Sequence, residues 1–180
     1  QDESLEDLLL RLKIGEWDYL LIGDGSGSTW EYPCGWGCLM IQRETMQRTT
    51  WAGCLNAGTV NVAEIMAYVA PLNWIASSAS SDGSRTQKIH ILTDSQYVRD
   101  TGAGRYGKTP KKNAVLWAGI YALERFGLQL IWHWIGRETI HANIYVDHVS
   151  KLARERIKSY DIQTDALRET GVNSTHDING

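Results

Sequence analysis

The sequence predicts an α/β fold: a five-stranded mixed sheet with helices on both faces. Three observations carry this. Three strand-like segments follow one another early in the chain at hairpin spacing, which implies antiparallel neighbours. The pattern then alternates between helical and strand periodicity, as in parallel α/β units. The 180 residues, 43% hydrophobic and 22% charged, suit one domain of ordinary globular composition.

Residues 2–13 read as a short amphipathic helix. Leu5, Leu8, Leu9 and Leu12 fall at i, i+3, i+4 and i+7. Ser4 and Asp7 resemble a capping box, and Arg11 and Lys13 trail as the helix dipole prefers. Residues 17–23 form an apolar strand that ends at Asp24 in a Gly/Ser turn. Residues 35–43 and 46–54 complete a meander. Residues 61–76 switch to helical period through Ile65, Met66, Val69 and Leu72, and Pro71 is expected to kink that helix or end its first part. The Ser-rich residues 77–87 read as a loop. Residues 88–93 form the fourth strand and run into Asp94. A short helix near 95–100, a basic Gly-containing stretch and a helix at about 112–126 follow. Residues 128–135 form the fifth strand, and a last helix is expected from about 147 to 159. The division is then a helical extension at 1–15, the main domain at 16–160 and a flexible tail at 161–180, where no periodicity is visible.

Composition narrows the function. The net charge of −3 excludes a generic polyanion binder, so any nucleic-acid contact must be local. Residues 99–113 are such a place, with five basic residues and one acid. Cys34, Cys38 and Cys54 lack a second Cys or His pair at zinc-finger spacing and read as reduced thiols of an intracellular, cytoplasmic protein. No apolar run reaches the ~18 residues of a membrane span. Eight Trp against a single Phe implies Trp N–H groups that find partners at strand ends and clefts. The Gly-rich stretch after residue 22 has no Lys of a P-loop and no third glycine of a dinucleotide site, and no G-x-S-x-G is present.

Four acids stand at positions that an α/β sheet brings together. Asp24 ends the first strand, Glu64 lies in the first turn of the following helix, Asp94 ends the fourth strand and Asp147 opens the last helix. Each has an ordinary structural use as well: Asp24 as a turn residue, Glu64 in a capping box with Asn61, and Asp94 and Asp147 as N-caps. Together in one crevice they would repel, and a divalent cation would neutralise them. Oxygen donors without His or Cys favour Mg²⁺ or Mn²⁺ over zinc.

Four stretches carry a family resemblance, across about residues 17–157. Leu92-Thr93-Asp94-Ser95-Gln96-Tyr97-Val98 resembles the fourth strand and TDSxYV motif of type 1 ribonucleases H. Asp24-Gly25-Ser26 resembles the first-strand motif. Residues 59–67 resemble the first helix, with Glu64 at the catalytic position. Residues 136–153 resemble the closing motif, with Asn143, Asp147, Leu152 and Ala153 in register. The resemblance implies a ribonuclease H-like fold and an endonuclease that cuts the RNA strand of RNA–DNA hybrids, leaving 5′-phosphate and 3′-hydroxyl ends. It implies that Asp24, Glu64, Asp94 and Asp147 hold two Mg²⁺ ions, for which Mn²⁺ can substitute. One activates a water and the other stabilises the leaving 3′ oxygen, roughly 3.5–4 Å apart. Gly25, Ser26, Thr59, Asn61, Ser95, Gln96 and Asn143 match positions that contact the hybrid.

Three departures qualify the match. Arg137 stands where the family usually has a His that moves protons or releases product, and an Arg cannot take up a proton at neutral pH. It could hold a phosphate, and His141 could substitute. Val60 replaces a common Asn. The basic protrusion of bacterial members is shortened, leaving Arg105, Lys108, Lys111 and Lys112 to grip the DNA strand and Tyr106 to stack. The alternative is a ribonuclease H-fold module that binds nucleic acid or protein without cutting, with the N-terminal helix as the contact to a protein partner or a parent polypeptide. A third reading is another nuclease of the same fold, such as a resolvase or integrase core.

Overall fold

The computed structural model describes residues 3–82, 86–136 and 140–170. Helix α1 (Leu5–Arg11) is followed by strands β1 (Tyr19–Ser26), β2 (Tyr32–Gln42) and β3 (Arg48–Gly58), then helix α2 (Val60–Asp82) and strand β4 (Gln87–Thr93). Helices α3 (Gln96–Gly102) and α4 (Ala114–Leu123), a 3₁₀ turn (Glu124–Phe126), strand β5 (Leu128–Trp134) and helix α5 (His141–Thr170) complete the chain. The sheet order is β3-β2-β1-β4-β5. β1 pairs antiparallel with β2 and parallel with β4, and β5 is parallel to β4. The expected five-stranded mixed sheet is present.

Both faces of the sheet are covered, which is why β1 reads as an unbroken apolar run rather than an alternation. Tyr19, Leu21, Ile89 and Ile91 face α2 and α4, where they meet Ile65, Tyr68, Leu72, Ile75 and Trp117. Leu20, Ile22, Leu39, Ile41 and Leu92 face the other way, onto Val146 of α5 and Leu8 of α1. The N-terminal helix therefore packs on this chain's own core. Full burial of Leu8 contributes about 2 kcal/mol to holding it there. Ser4 caps α1, its Oγ accepting from the Asp7 N–H at 3.1 Å. Cys34, Cys38 and Cys54 are buried and form no disulfide. Among the described residues no helix is long and apolar enough to cross a membrane.

Several boundaries differ from the sequence reading. β1 continues through Asp24 to Ser26, because β2 goes on pairing with it as far as Ser26↔Gly35. α2 runs past Pro71 to Asp82, taking in much of the Ser-rich stretch. Ala and Ser are tolerated in helices, and neither Gly nor a second Pro intervenes before Gly83. α5 begins at His141, so Asp147 lies inside the helix rather than opening it. Its buried stripe, Asn143, Val146, Ser150 and Ala153, contains two polar residues, which hides the helical period. The same helix continues to Thr170, beyond the expected end near 159. The remainder of the proposed tail, 171–180, lies outside the described residues.

Candidate active site

The site lies where the two central parallel strands part. β1 and β4 stay in register as far as Ile22↔Leu92 and then stop pairing. Asp24 and Asp94 each sit two residues past that last pair, so their side chains emerge side by side. The gap is bridged by Tyr68 of α2, which is fully buried. Its hydroxyl contacts the carbonyl oxygens of Leu92 at 2.9 Å and Gly23 at 3.2 Å. Gly25 brings α2 against β1. A Cβ there would stand 2.5 Å from the backbone nitrogen of Glu64, too close for any other residue. Glu64 thereby reaches the strand ends, and one carboxylate oxygen each from Asp24, Glu64 and Asp94 lies within 4.8 Å of the others. Asp147 approaches from α5 and lines the same pocket of about 270 Å³, with Gly25, Ser26, Gly27, Val60, Asn143 and Lys151.

Crowding and burial act together on these acids. Asp24 is only 4% exposed. Burial, then the charge of Asp94, then hydrogen bonding to Asp147 push its carboxyl up to about 7, against a weaker downward pull from a hydrogen bond with Glu64. Burial, followed by the charges of Asp24 and Asp94, holds Glu64 well above the usual carboxylate range. Among the described residues two buried acceptor oxygens here have no hydrogen-bond donor: Oε2 of Glu64 and Oδ1 of Asn143. An all-oxygen donor set with orphaned acceptors and raised carboxyl groups fits a hard divalent cation, which would take the place of the missing protons and donors. Among the described residues Lys151 is the one cation on the pocket wall. Its Nζ lies 2.8 Å from Asp147 Oδ2, one turn along α5, and its side chain is 64% exposed, so it stands at the mouth beside the outermost acid.

The other expected site residues are spread more widely. Gly25, Ser26 and Asn143 line the pocket. Thr59 caps α2, its Oγ1 accepting from Val62 N–H at 3.3 Å, and Asn61 follows in the first turn. Glu64 is thus not the third residue of a capping box with Asn61. Ser95, rather than Asp94, caps α3 by accepting from Val98 N–H at 3.2 Å, and Gln96 is exposed at the start of that helix. Arg105 pairs with Asp100 at 3.0 Å, and Lys108 pairs with Glu124 at 3.5 Å while lying over the Tyr121 ring. Lys111 and Lys112 are exposed beside a separate cavity of about 510 Å³ that Tyr97, Thr101 and Tyr106 also line. None of these four cations lines the acidic pocket. His141 is exposed at the head of α5 and does not line it either. Arg137 lies outside the described residues.

Three residues at the site escaped the sequence reading. Tyr68 spans the strand gap. Trp134 donates its Nε1–H to the carbonyl of Asp94 at 3.1 Å, steadying a residue just beyond the end of β4. Lys151 sits four residues after Asp147. Lys151 left a signal in its i+4 spacing from an acid, and Trp134 a general one in the expectation of Trp N–H partners at strand ends, while Tyr68 left none.

A family model described as RNase H matches residues 17–155. A ribonuclease H of Parvibaculum lavamentivorans is 30% identical over 148 residues, covering 76% of this chain and 90% of that protein. A ribonuclease H of Cereibacter sphaeroides (strain ATCC 17025) is 31% identical over 139 residues, covering 69% and 86%. Among solved structures, the N-terminal RNase H domain of Rv2228c from Mycobacterium tuberculosis, fused to maltose-binding protein, superposes with a TM-score of 0.64 at 20% identity, over 81% of this chain and 99% of that one. LC11-RNase H1 in complex with an RNA/DNA hybrid gives 0.63 at 18% identity, over 77% and 98%. At these identities the structures speak to the fold.

Proposed function

Because the chain belongs to the RNase H family, we propose that its acidic pocket hydrolyses the RNA strand of RNA–DNA hybrids with the help of divalent cations. The carrying observation is the convergence of Asp24, Glu64 and Asp94 at the parting of β1 and β4, with two acceptor oxygens left undonated. In this reading Asp24, Glu64 and Asp94, with Asp147 at the lip, hold two Mg²⁺ ions. When bound these supply charge to the phosphate oxygens and make a water more acidic. Mn²⁺, with the same taste for oxygen donors, substitutes.

The chain's own groups position the substrate. Gly25 and Ser26 present backbone and hydroxyl groups beside Asp24, suited to a ribose 2′-hydroxyl, which is what separates RNA from DNA at such a site. Asn143, 2% exposed, offers its carboxamide at the opposite wall. Thr59, Asn61, Ser95 and Gln96 flank the pocket from the starts of α2 and α3, and Lys111 and Lys112 extend a charged track for the DNA strand. Water would give up a proton to solvent as its oxygen attacks phosphorus, the bond from phosphorus to O3′ would break and O3′ would take up a proton from solvent, so that the products carry 5′-phosphate and 3′-hydroxyl ends. Arg137 or His141 would serve the departing product.

The test is cleavage of an RNA–DNA hybrid beside duplex RNA, duplex DNA and branched DNA, with Mg²⁺, Mn²⁺ and EDTA, followed by end-group analysis. Cleavage of the hybrid's RNA strand alone, lost in EDTA and in Asp24→Asn and Asp94→Asn, is expected. Full activity in either variant would overturn the assignment. The Lys151 contact on Asp147 is the observation that favours a module that binds without cutting. Calorimetric titration with Mn²⁺ decides between them, since such a module takes up no ion at these carboxylates.

A further inference from the structure

The β1–β2 connection and the first residue of β2 carry two large aromatic side chains that the fold leaves exposed. Trp30 is 72% exposed and Tyr32 58%. The backbone beneath them is well tied. Ser28 Oγ accepts from the Trp30 N–H at 3.0 Å, and the Tyr32 N–H donates to the Trp30 carbonyl at 2.9 Å. On one side the Ser28 carbonyl takes the Val60 N–H at 2.7 Å, at the start of the helix that carries Glu64. On the other the Pro33 carbonyl takes Arg154 Nε–H at 2.9 Å, from the helix that carries Asp147. The loop begins directly after Ser26 and Gly27, which line the acidic pocket. The backbone that carries the rings is therefore braced against both helices that supply site carboxylates, a few residues from the lip of the pocket.

Bare aromatic rings on a braced loop offer π-faces to a ligand. Glu31 between them is exposed, so the loop offers ring faces and no positive charge, which suits a base better than a phosphate. Paired bases inside a hybrid hide their faces, whereas unpaired ones expose them. We propose that Trp30 and Tyr32 form a stacking platform for unpaired nucleotides of the RNA strand that continue beyond the hybrid. This rests on the hybrid-cleaving reading above and adds that the preferred substrate is a hybrid with a single-stranded RNA flank.

The experiment compares kcat/KM for a blunt hybrid with that for the same hybrid carrying about six unpaired ribonucleotides at the 5′ or the 3′ end of the RNA. Stacking is worth about 1–3 kcal/mol per base, so on the order of a tenfold preference for one of the extended substrates is expected. Trp30→Ala should bring that ratio close to one, and Trp30→Tyr should keep most of it. Equal rates on blunt and extended hybrids would overturn the platform. So would a preference kept with an abasic RNA extension, which carries charge without bases, or one given by a DNA-strand extension alone. So would a concentration-dependent self-association that disappears in Trp30→Ala while the substrate ratio stays unchanged. If no hybrid is cut, fluorescence anisotropy of the labelled substrates reads the stack by itself. Tighter binding of the extended one, lost in Trp30→Ala, keeps the platform, and equal binding overturns it.

Discussion

Replacing Asp24 with Asn should make the metal-free protein more stable while removing its activity. Asp24 holds its proton more tightly in the folded chain, at about 7 against an ordinary 3.8, because it is buried among other acids. Its contribution to stability is fully present below about pH 4 and is lost as pH rises through 7. At pH 8 the folded chain carries a charge that it resists. At about 1.4 kcal/mol for each tenfold change in proton affinity, the ceiling on that cost is about 4 kcal/mol. Asp24 shares its protons with Glu64 and Asp147, so about half of the ceiling, some 2 kcal/mol, is the reasonable expectation. Asn keeps the oxygen that accepts from Gly25 N–H at 2.9 Å, so the local backbone is undisturbed. For a chain of this size the gain corresponds to a rise of about 4–8 °C in Tm. Urea denaturation in EDTA at pH 8 and at pH 5 gives the measurement. The variant should gain most at pH 8 and less than half as much at pH 5, where the unfolded carboxyl is already ionised, and Mg²⁺ should stabilise the wild type more than the variant. A variant less stable than wild type at pH 8 in EDTA would refute the idea that the carboxylates strain one another.

Divalent-ion binding should expel protons: at pH 6.5, calorimetry in buffers of different ionisation enthalpy should show about one proton released as Mn²⁺ displaces the one on Asp24. Tyr68→Phe removes the hydroxyl between the Gly23 and Leu92 carbonyls and should cost about 1–2 kcal/mol in urea denaturation, with kcat falling more than KM changes. Trp134→Phe frees the Asp94 carbonyl and should lower kcat severalfold at little cost in stability, because the ring is 42% exposed. His90 and His133 share a 2.8 Å nitrogen contact on β4 and β5; burial, then the charge of His90, holds His133 down at about 4. That pair's contribution is present above pH 6.5 and is lost as pH falls toward 4, about 1 kcal/mol once solvent at the partly exposed His133 is allowed for, and a His133→Asn variant should lose that slope in denaturation midpoints.

The fold was legible because its strands differ in kind. β1 opens on the apolar run from Tyr19 to Ile22 and β4 carries Ile89, Ile91 and Leu92 in close succession, which marks strands covered on both faces, and the meander before α2 forces an antiparallel half onto a parallel one. Errors arose where a burial pattern contradicts its residue types. The inward stripe of α5 includes Asn143 and Ser150, so the helix seemed to start only at Asp147. Pro71 sits in α2 without ending it, because the flanking Ile65, Tyr68, Leu72 and Ile75 are all fully buried and hold both halves on the sheet. Tertiary packing outweighs a local breaker in such a helix.

The acids were legible for a different reason. Their meaning lies in topology, since strand ends and helix starts in this order must meet at one edge. What holds them there is not written in any spacing. Tyr68 reads as one more apolar helix residue, yet its hydroxyl occupies the place where β1 and β4 stop bonding to each other. The parting of these strands leaves room for Asp24 and Asp94 to stand together, and two carbonyls freed by that parting would be costly without a donor. The pocket and the tyrosine are thus one device: strands that open to make space for charge, and a buried hydroxyl that offsets the opening. The same logic explains why Gly25 must lack a side chain. Any Cβ there would push α2 outward, and Glu64 would leave the cluster before the other three acids had moved at all.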